Sequence, residues 1–302
     1  MRSLLLFLAR QEGFKNFAMN FRIFRNTALR FVAGETLEDA IMAVRQANEQ
    51  KLLATLDLLG ENTLNREDAN RACRDVMDAL SKIHARSLKC YFSVKLTQLG
   101  LALDPEFGLR NLMQIADQAE KLGHFIRVDM EDSRYTQSTL DIAVRAHERS
   151  GNVGTVIQSY LHRSEQDTAR LLDRNIRVRL VKGAYLEPAS VAFRKKKDTD
   201  ANFVKLMKML LTAKTYNAIA THDESMISAT KEFAISQKIP KDHFEFQLLY
   251  GIRRDLQRSL AEEGYNVRVY IPYGRNWYGY FMRRLAERPA NVAFIARNLF
   301  KD

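Results

Sequence analysis

The sequence is poor in cysteine, glycine and proline, and its apolar runs are short. Its 302 residues include 2 Cys, 13 Gly and 5 Pro, so neither a disulfide framework nor a low-complexity linker is indicated. Cys73 and Cys90 lack the spacing of metal ligands, and two such thiols fit a reducing compartment. The apolar residues 3–9 are too short to span a membrane, and Arg10 follows them instead of a cleavage site. These features predict a cytoplasmic protein.

Several motifs that mark nucleotide, metal or acyl-transfer chemistry are also missing. The sequence contains no G-x-G-x-x-G, no Walker loop, no H-E-x-x-H and no nucleophile elbow. A dinucleotide, if the protein binds one, is therefore not held in the Rossmann manner. We predict no metal site.

Positive charge is in excess, with 47 Lys and Arg against 36 Asp and Glu and a net charge of +11. Such an excess is typical of proteins that meet nucleic acid or anionic membranes, although solubility alone also explains it. The basic residues are densest at 194–197, and no zinc-finger, RNA-binding or basic-zipper pattern accompanies them. Residues 1–50 form a predicted N-terminal helical segment, basic and amphipathic up to residue 30. This segment either lies on a membrane surface or pads a neighbouring domain.

From residue 51 onward, short apolar runs alternate with longer helical patterns. The runs cover residues 51–59, 90–96, 125–130, 153–160, 176–181, 217–221, 244–249 and 267–271. The helical patterns cover 66–86, 106–122, 137–149, 165–174, 189–214, 223–237, 251–263 and 276–287. Eight such units predict an α/β fold in which residues 51–302 form a TIM-type (βα)8 barrel, one catalytic domain overall. A doubly wound open sheet is the alternative.

In such a barrel, functional side chains collect just beyond the C-terminal ends of the strands. Polar residues occupy those places in nearly every unit, namely Glu61, Lys95, Asp129, Glu131, Gln158, Arg179, Lys182, His222 and Tyr270. Polar residues at strand ends also have ordinary structural explanations. Lys95 could be a gatekeeper of an edge strand, and His222 could be a structural histidine. Thr221 or Asp223, at the end of the sixth strand, could cap the next helix. A buried Arg179 would need an anionic partner. The occurrence of so many together predicts a site.

The last helical pattern carries two adjacent arginines. On a helix, Tyr280, Arg283, Arg284 and Glu287 lie on one face. Two guanidinium groups beside an aromatic ring suit an anionic, partly apolar molecule, because each planar fork grips a carboxylate through two hydrogen bonds. The alternative is a solvated basic helix with Tyr280 packed inward.

Separated motifs in this sequence resemble those of the proline dehydrogenase family. They are Val178-Arg179-Leu180-Val181-Lys182-Gly183-Ala184-Tyr185, Phe92-Ser93-Val94-Lys95-Leu96, Ala220-Thr221-His222, Phe244-Glu245-Phe246-Gln247 and Tyr280-x-x-Arg283-Arg284-Leu285-x-Glu287. They occur in the family's order between about residues 56 and 299. The overall form resembles the short, monofunctional bacterial enzymes.

The resemblance implies a distorted barrel that binds FAD and oxidises L-proline to Δ1-pyrroline-5-carboxylate, the first step of proline degradation to glutamate. It further implies a membrane quinone as electron acceptor, peripheral association with the inner face of the cell membrane, and a downstream pyrroline-5-carboxylate dehydrogenase. A flavin supplies the redox chemistry, which fits the lack of an apparent protein nucleophile.

The resemblance also implies roles for individual residues. Asp129 and Arg179 would be catalytic. The proline carboxylate and ring would contact Lys95, Tyr185, Leu249, Tyr270, Tyr280, Arg283 and Arg284. The cofactor would be lined by Met130, Gln158, Arg179, Val181, Lys182, Gly183, Ala184, Thr221, His222 and Glu287.

Two departures from bifunctional relatives stand out. Leu186 occupies a position where those relatives have Trp, and the segment 274–280 is shorter. The resemblance also implies that Tyr270 suits proline better than hydroxyproline, because in the family a smaller residue at this position accompanies hydroxyproline use. Two other functions are open from the residues alone: another FAD barrel reductase of the methylenetetrahydrofolate reductase type, and a basic nucleic-acid-binding module.

Overall fold

A computed structural model of the protein describes residues 28–60 and 63–287, without the side chains of 285–287. The strands are β1 (Leu53–Leu58), β2 (Cys90–Val94), β3 (Ile126–Val128), β4 (Val153–Gln158), β5 (Val178–Val181), β6 (Asn217–Ala220), β7 (Phe244–Leu249) and β8 (Asn266–Tyr273). The helices are α1 (Leu37–Glu49), α2 (Arg66–Ala85), α3 (Pro105–Lys121), α4 (Thr136–Ser150), α5 (Ser164–Leu172), α6 (Lys196–Thr212), α7 (Glu224–Ser236), α8 (Arg254–Glu262) and α9 (Trp277–Glu287).

The eight strands form a closed parallel barrel in the order of the sequence. Strand β8 closes the barrel on β1, with Leu56 opposite Ile271 and Asp57 opposite Pro272. The predicted (βα)8 barrel is therefore confirmed, and the doubly wound alternative is wrong. Because a closed barrel has no edge strand, the gatekeeper explanation of Lys95 is wrong as well.

Side-chain caps begin four of the described helices, namely α1, α2, α3 and α7. Thr36 and Asp39 form a reciprocal capping box at the start of α1, as the cap predicted at Thr36 requires. One boundary was predicted wrongly: α6 begins at Lys196 and not near residue 189. The residues after Pro188 form a turn instead, and Ala192 makes an antiparallel bridge to Leu161.

The main hydrophobic core lies between the strands and the surrounding helices. Helix α1 contributes Ala40 and Val44 to the same core, because it packs against β1 and β8. The predicted N-terminal segment is thus joined to the barrel over its described part, and residues 1–27 lie outside the described residues. No helix in the described ranges is long and apolar enough to cross a membrane.

Helix α9 rests on a second cluster of apolar residues, which we call the α9 cluster. Its buried members are Ala28, Phe31, Val32, Leu59, Ile252, Trp277, Tyr278, Tyr280, Phe281 and Met282. The residues that precede α1 therefore support α9 directly. Gly251, at φ +73°, makes room for this segment, since a Cβ there would lie 1.6 Å from the Arg30 carbonyl oxygen.

The N-terminal end of the barrel is filled by an ionic cluster, the barrel floor, made of Arg127, Glu245 and Arg268. Arg268 donates to both carboxylate oxygens of Glu245 at 2.8 and 3.0 Å and to the Ala54 carbonyl at 2.7 Å. Arg127 donates to the carbonyls of Thr155 and Arg177. Charged side chains buried here exclude water beneath the site and leave the opposite end of the barrel open.

Candidate active site

A cavity of about 800 Å³ opens at the C-terminal end of the barrel. It is lined by Lys95, Asp129, Met130, Val156, Gln158, Arg179, Val181, Lys182, Gly183, Ala184, Tyr185, Lys196, Ala220, Thr221, His222, Asp223, Gln247, Leu248, Leu249, Tyr270, Tyr280, Arg283 and Arg284. Every residue to which the resemblance assigns a role lines this cavity except Glu287, whose side chain lies outside the described residues. Of the other polar residues at the strand ends, Glu131 accepts from Thr97 instead of lining the cavity, and Glu61 lies outside the described residues. The strand-end residues thus converge as a barrel requires.

Asp129 is the centre of a buried hydrogen-bond network. Its Oδ1 accepts from Nη1 of Arg179 at 2.7 Å, and its Oδ2 accepts from the Tyr270 hydroxyl at 2.8 Å. Arg179 also donates to the Ser93 hydroxyl at 3.0 Å and lies 5.2 Å from the centre of the Tyr270 ring. Arg179 is 5% exposed, so Asp129 is the anionic partner that a buried arginine needs.

The same network fixes the state of Tyr270. Burial raises the pKa of the Tyr270 hydroxyl well above its ordinary value, and the charges of Asp129 and Asp57 reinforce that shift. The phenol therefore stays protonated and donates to Asp129. This hydrogen bond fixes the ring against the cavity.

Lys95 extends from just beyond β2 into the barrel and meets an acid that we did not predict. Its ammonium group donates to both oxygens of Asp57, at 2.7 and 2.8 Å, and lies 3.6 Å from Asp129. The Tyr270 hydroxyl is 3.4 Å away. Asp57 is fully buried, so the ion pair lies in the interior of the protein.

A second ionic cluster forms the rim of the cavity between β5 and β6. Lys182 donates to Asp200 at 2.5 Å and to Asp223 at 2.6 Å, and Lys196 contacts both acids. Asp223 also caps α7 by accepting from the Ser225 amide, as predicted for this position. Burial alone would raise the pKa of the Asp223 carboxyl, but Lys182, Ser225 and Lys196 hold it well below its usual range. The rim is therefore a fixed pair of lysines on two carboxylates.

The loop that follows β5 is shaped by one glycine and tied at its far end. Gly183 has φ +116°, and a Cβ at this position would lie 2.3 Å from the ring of Tyr160. Four residues later, Glu187 accepts from the amide of Ser133 at 2.8 Å and from its hydroxyl. The loop carrying Tyr185 is thus held against the loop after β3.

Two glutamines on the cavity wall have carbonyl oxygens without a hydrogen-bond partner among the described residues. Gln158 donates its amide to the Glu131 carbonyl at 3.3 Å, and Gln247 donates its amide to Glu245 at 2.5 Å. In both, Oε1 is buried and has no donor in that part of the chain. A buried amide oxygen ordinarily has a donor, so the cavity suits a ligand with N–H or O–H groups.

His222 has the structural role that was weighed as its alternative, and it lines the cavity as well. Its Nε2 accepts from the amide of Leu249 at 3.0 Å. That hydrogen bond requires an unprotonated Nε2 and fixes the ring at the end of β6.

Helix α9 covers the cavity with a basic and aromatic face. Tyr280 and Arg284 are 6% and 9% exposed, and the Arg284 guanidinium lies 5.1 Å from the Tyr280 ring centre. Arg283 is half-buried and also lines the cavity. The alternative of a solvated basic helix is therefore wrong. Two guanidinium groups and the Lys95 ammonium therefore bring positive charge to one cavity.

Sequence reasoning missed several cavity residues. Val156, Lys196, Ala220, Gln247 and Leu248 line the cavity, and Asp57 lies behind Lys95. The available signal for Asp57 was that it is the one charged residue in the otherwise apolar strand LATLDL.

Comparisons with known proteins agree with this architecture. The sequence model of the proline dehydrogenase family matches residues 40–297. Proline dehydrogenase 1 of Bacillus subtilis (strain 168) is 42% identical over 301 residues, which cover 100% of this chain and 99% of that protein. Proline dehydrogenase of Deinococcus radiodurans is 46% identical over 281 residues, 91% of each chain.

A solved structure is similar in fold. Proline utilization A (PutA) from Bdellovibrio bacteriovorus, inactivated by N-propargylglycine, superposes with a TM-score of 0.84 at 24% identity. The match covers 99% of this chain and 39% of that one, and at this identity it supports the fold alone. The family model spans most of the chain. The two bacterial relatives match the chain itself at 42% and 46% identity, over 91–100% of its length. The chain therefore belongs to the proline dehydrogenase family.

Proposed function

We propose that this protein is an FAD-dependent proline dehydrogenase that oxidises L-proline to Δ1-pyrroline-5-carboxylate and passes the electrons to a quinone. The reaction is the first step of proline degradation to glutamate. One observation carries the proposal: Lys95, Arg283 and Arg284 line the same cavity as Tyr185, Tyr270 and Tyr280. A small amino acid with a carboxylate and an apolar ring matches this combination.

The carboxylate of proline is the anion that the cationic residues would bind. Arg283 and Arg284 present two guanidinium forks from one helix face, and Lys95 presents an ammonium from the barrel interior. Charge-assisted hydrogen bonds of this kind are strong and directional. The tyrosines and Leu249 would surround the apolar ring and hold it in one orientation.

The cavity residues also fit a flavin. Gln158 and Gln247 offer buried carbonyl oxygens that lack a donor among the described residues, and Gly183 lines the cavity with the Tyr160 ring packed against it. Met130, Val181, Ala184, Thr221, His222 and the rim lysine Lys182 complete the surface proposed to hold FAD, together with Glu287. When bound, FAD would supply the hydride acceptor at its N5 atom.

The polar network would place charge where the reaction needs it. Arg179 contributes a buried positive charge at the cavity wall, which favours the negative charge that reduction creates nearby. Asp129 has both oxygens engaged, by Arg179 and Tyr270. We assign Asp129 the task of orienting these two side chains. The substrate amine must be neutral to release hydride, so the rate should rise with pH through the titration of proline itself.

The visible spectrum tests this function. The purified protein should be yellow, and anaerobic L-proline should bleach its absorbance near ~450 nm, a property of flavins. A correctly folded protein that takes up no FAD would refute the proposal. Bleaching by NADH but not by proline would instead favour a reductase of the methylenetetrahydrofolate reductase type.

The quinone acceptor implies contact with a membrane, where such quinones reside. We therefore expect the protein to be cytoplasmic and peripheral at the inner face of the cell membrane, and its product to feed a pyrroline-5-carboxylate dehydrogenase. The net charge of +11 supports binding to anionic lipid, although residues 2–27 of the basic segment lie outside the described residues. Co-sedimentation with anionic vesicles, compared with neutral ones, should detect this binding in at least one flavin redox state. Its absence in both states would contradict it.

A further inference from the structure

Asp57 is the most enclosed acid near the cavity, and it has no place in the mechanism above. It lies on β1 with its side chain fully buried, opposite Ser93 of β2 and Pro272 of β8. It does not line the cavity, so it touches no ligand there. Two cavity-lining residues contact it: Lys95 donates to both of its oxygens at 2.7 and 2.8 Å, and the Tyr270 hydroxyl also interacts with its carboxyl group.

Among the residues that the structure describes, the charged and titratable groups near Lys95 divide into two sets. Inside the barrel these are Asp57, Asp129 and Tyr270, with Arg179 bound to Asp129. On the cavity side they are Tyr185, Tyr280, Arg283 and Arg284. Asp129 is already engaged by Arg179 and Tyr270. Within the described part of the chain, Asp57 is therefore the acid whose two oxygens Lys95 engages most closely.

A buried lysine without such a partner tends to lose its proton, because burial disfavours the charged form. Lys95 is only 6% exposed, and two cationic guanidinium groups line the same cavity. Both conditions favour the neutral amine in the empty site. The carboxylate of Asp57 at hydrogen-bond distance opposes them.

The charge of Lys95 matters for the proposed reaction because the substrate amine and the substrate carboxylate have opposite pH requirements. The substrate amine must be neutral, and aliphatic amines ordinarily titrate at about pH 10, so alkaline conditions favour the chemical step. The carboxylate, in contrast, needs Lys95 in its charged form. If Lys95 lost its proton as the pH rose, the cavity would bind the substrate carboxylate more weakly at the alkaline pH at which hydride transfer is fastest.

We propose that Asp57 is a positioning residue that keeps Lys95 in its ammonium form, so that the cavity still binds the substrate carboxylate when the substrate amine is neutral. This inference rests on the proposed function, since it takes the bound anion to be the carboxylate of proline. Asp57 acts through Lys95 and contacts neither substrate nor cofactor.

The test measures how the affinity for a carboxylate depends on pH, independently of turnover. The ligand is tetrahydrofuran-2-carboxylate, in which an ether oxygen replaces the ring N–H of proline, so it does not titrate between pH 6 and pH 9. Calorimetry gives its Kd on the flavin-loaded enzyme. In the wild type we expect Kd to change less than about threefold over this range.

Asp57→Asn keeps the size of the side chain and removes its charge. Near pH 6 its Kd should lie within about threefold of the wild type. Above the pH at which Lys95 loses its proton, affinity should fall by up to about tenfold per pH unit. A Kd for Asp57→Asn that stays as flat with pH as that of the wild type would overturn the inference.

The matched control is Asp57→Asn in a protein that already carries Lys95→Met. Lys95→Met binds the ligand weakly, and Asp57→Asn added to Lys95→Met should change Kd by less than about twofold at every pH. A further loss as large as in the Lys95 background would mean that Asp57 acts through the fold, and the inference would fail.

The wild type decides the question if Asp57→Asn does not fold. A wild-type Kd that rises steeply between pH 7 and pH 9 would show that Asp57 does not retain the proton of Lys95, whereas a flat profile supports the inference. Bleaching of the wild type by proline separates the two proposals. If proline bleaches the wild-type flavin but the Kd of Asp57→Asn does not depend on pH, only the inference about Asp57 is wrong. If proline does not bleach the wild-type flavin, the proposed function is wrong too.

Discussion

Replacing Glu245 by Gln should destabilise the barrel strongly, although Glu245 does not line the cavity and contacts the proposed flavin site only through the Gln247 amide. Glu245 is 1% exposed and Arg268 is 3% exposed, and two hydrogen bonds join them at 2.8 and 3.0 Å. Arg268 is also packed 3.7 Å from the centre of the Tyr91 ring, so it has no route to water. Gln keeps the shape of Glu245 and leaves the charge of Arg268 uncompensated.

The expected loss in the free energy of unfolding is about 3–5 kcal/mol, the usual cost of removing one partner of a buried ion pair. This is a large part of the roughly 5–15 kcal/mol that stabilises a typical protein. At about 2–4 °C per kcal/mol for a chain of this size class, the midpoint of thermal unfolding should fall by about 6–20 °C.

Thermal unfolding followed by circular dichroism, with urea titration as a second measure, tests this expectation. Glu245→Met combined with Arg268→Met removes both charges and should recover more than half of the loss. A loss below about 1 kcal/mol in Glu245→Gln, or a double variant no more stable than the single one, would refute the reasoning.

The pH dependence of stability provides an independent check on the same pair. Burial would raise the pKa of Glu245, but Arg268 lowers it below the ordinary value overall. The stabilisation is therefore complete above the pKa of the unfolded chain, about 4.3, and is lost as the pH falls through the folded value. Glu245→Gln should flatten the acid limb of the stability profile below about pH 4.

Three further predictions concern the cavity and its surroundings. Arg284→Ala should raise KM for proline by about 10- to 150-fold with little change in flavin content, because it removes charge-assisted hydrogen bonds to the carboxylate; a KM within twofold of the wild type would contradict that role. Gly183→Ala should lower both stability and the flavin content measured from the visible spectrum, because the new methyl meets the Tyr160 ring at 2.3 Å. Gly151→Ala is its control, since Gly151 also has positive φ but no atom within 4 Å of the added Cβ; equal losses would rule out the steric cause. Cys90 should resist iodoacetamide at pH 8 in the native protein and react after unfolding, as mass spectrometry would record, because burial raises the pKa of its thiol to about 12. Rapid native labelling would contradict the described burial.

The barrel was predictable because its strands and helices differ in length and periodicity along the chain. Parallel strands then place their C-terminal ends at one edge, so Lys95, Asp129, Arg179 and Tyr270 could be expected to meet. Their arrangement around Asp129 was only partly predictable. The sequence indicates that Arg179 needs an anion, but several acids near the strand ends could have served.

Asp57 and Asp200 illustrate what the pattern could not provide. Asp57 lies inside a strand, where its parity indicates the barrel interior but not its partner. Asp200 lies on α6 and reaches Lys182 only because that helix begins at Lys196. Ion pairs between side chains that are far apart in the sequence depend on distances in the folded protein, and a single sequence does not contain those distances.

Helix α9 is held by the α9 cluster, which is smaller than the main core. It packs on Phe31, Val32 and Ile252, and Leu249 of β7 and Tyr270 of β8 join this cluster to the strands. Regions held by fewer buried contacts open locally at a lower free energy than the global one. Amide hydrogens of α9 should therefore exchange sooner than those of β1 and β8. Substitutions in the short segment before α1 should then change the exchange of α9, although that segment contributes no residue to the cavity lining.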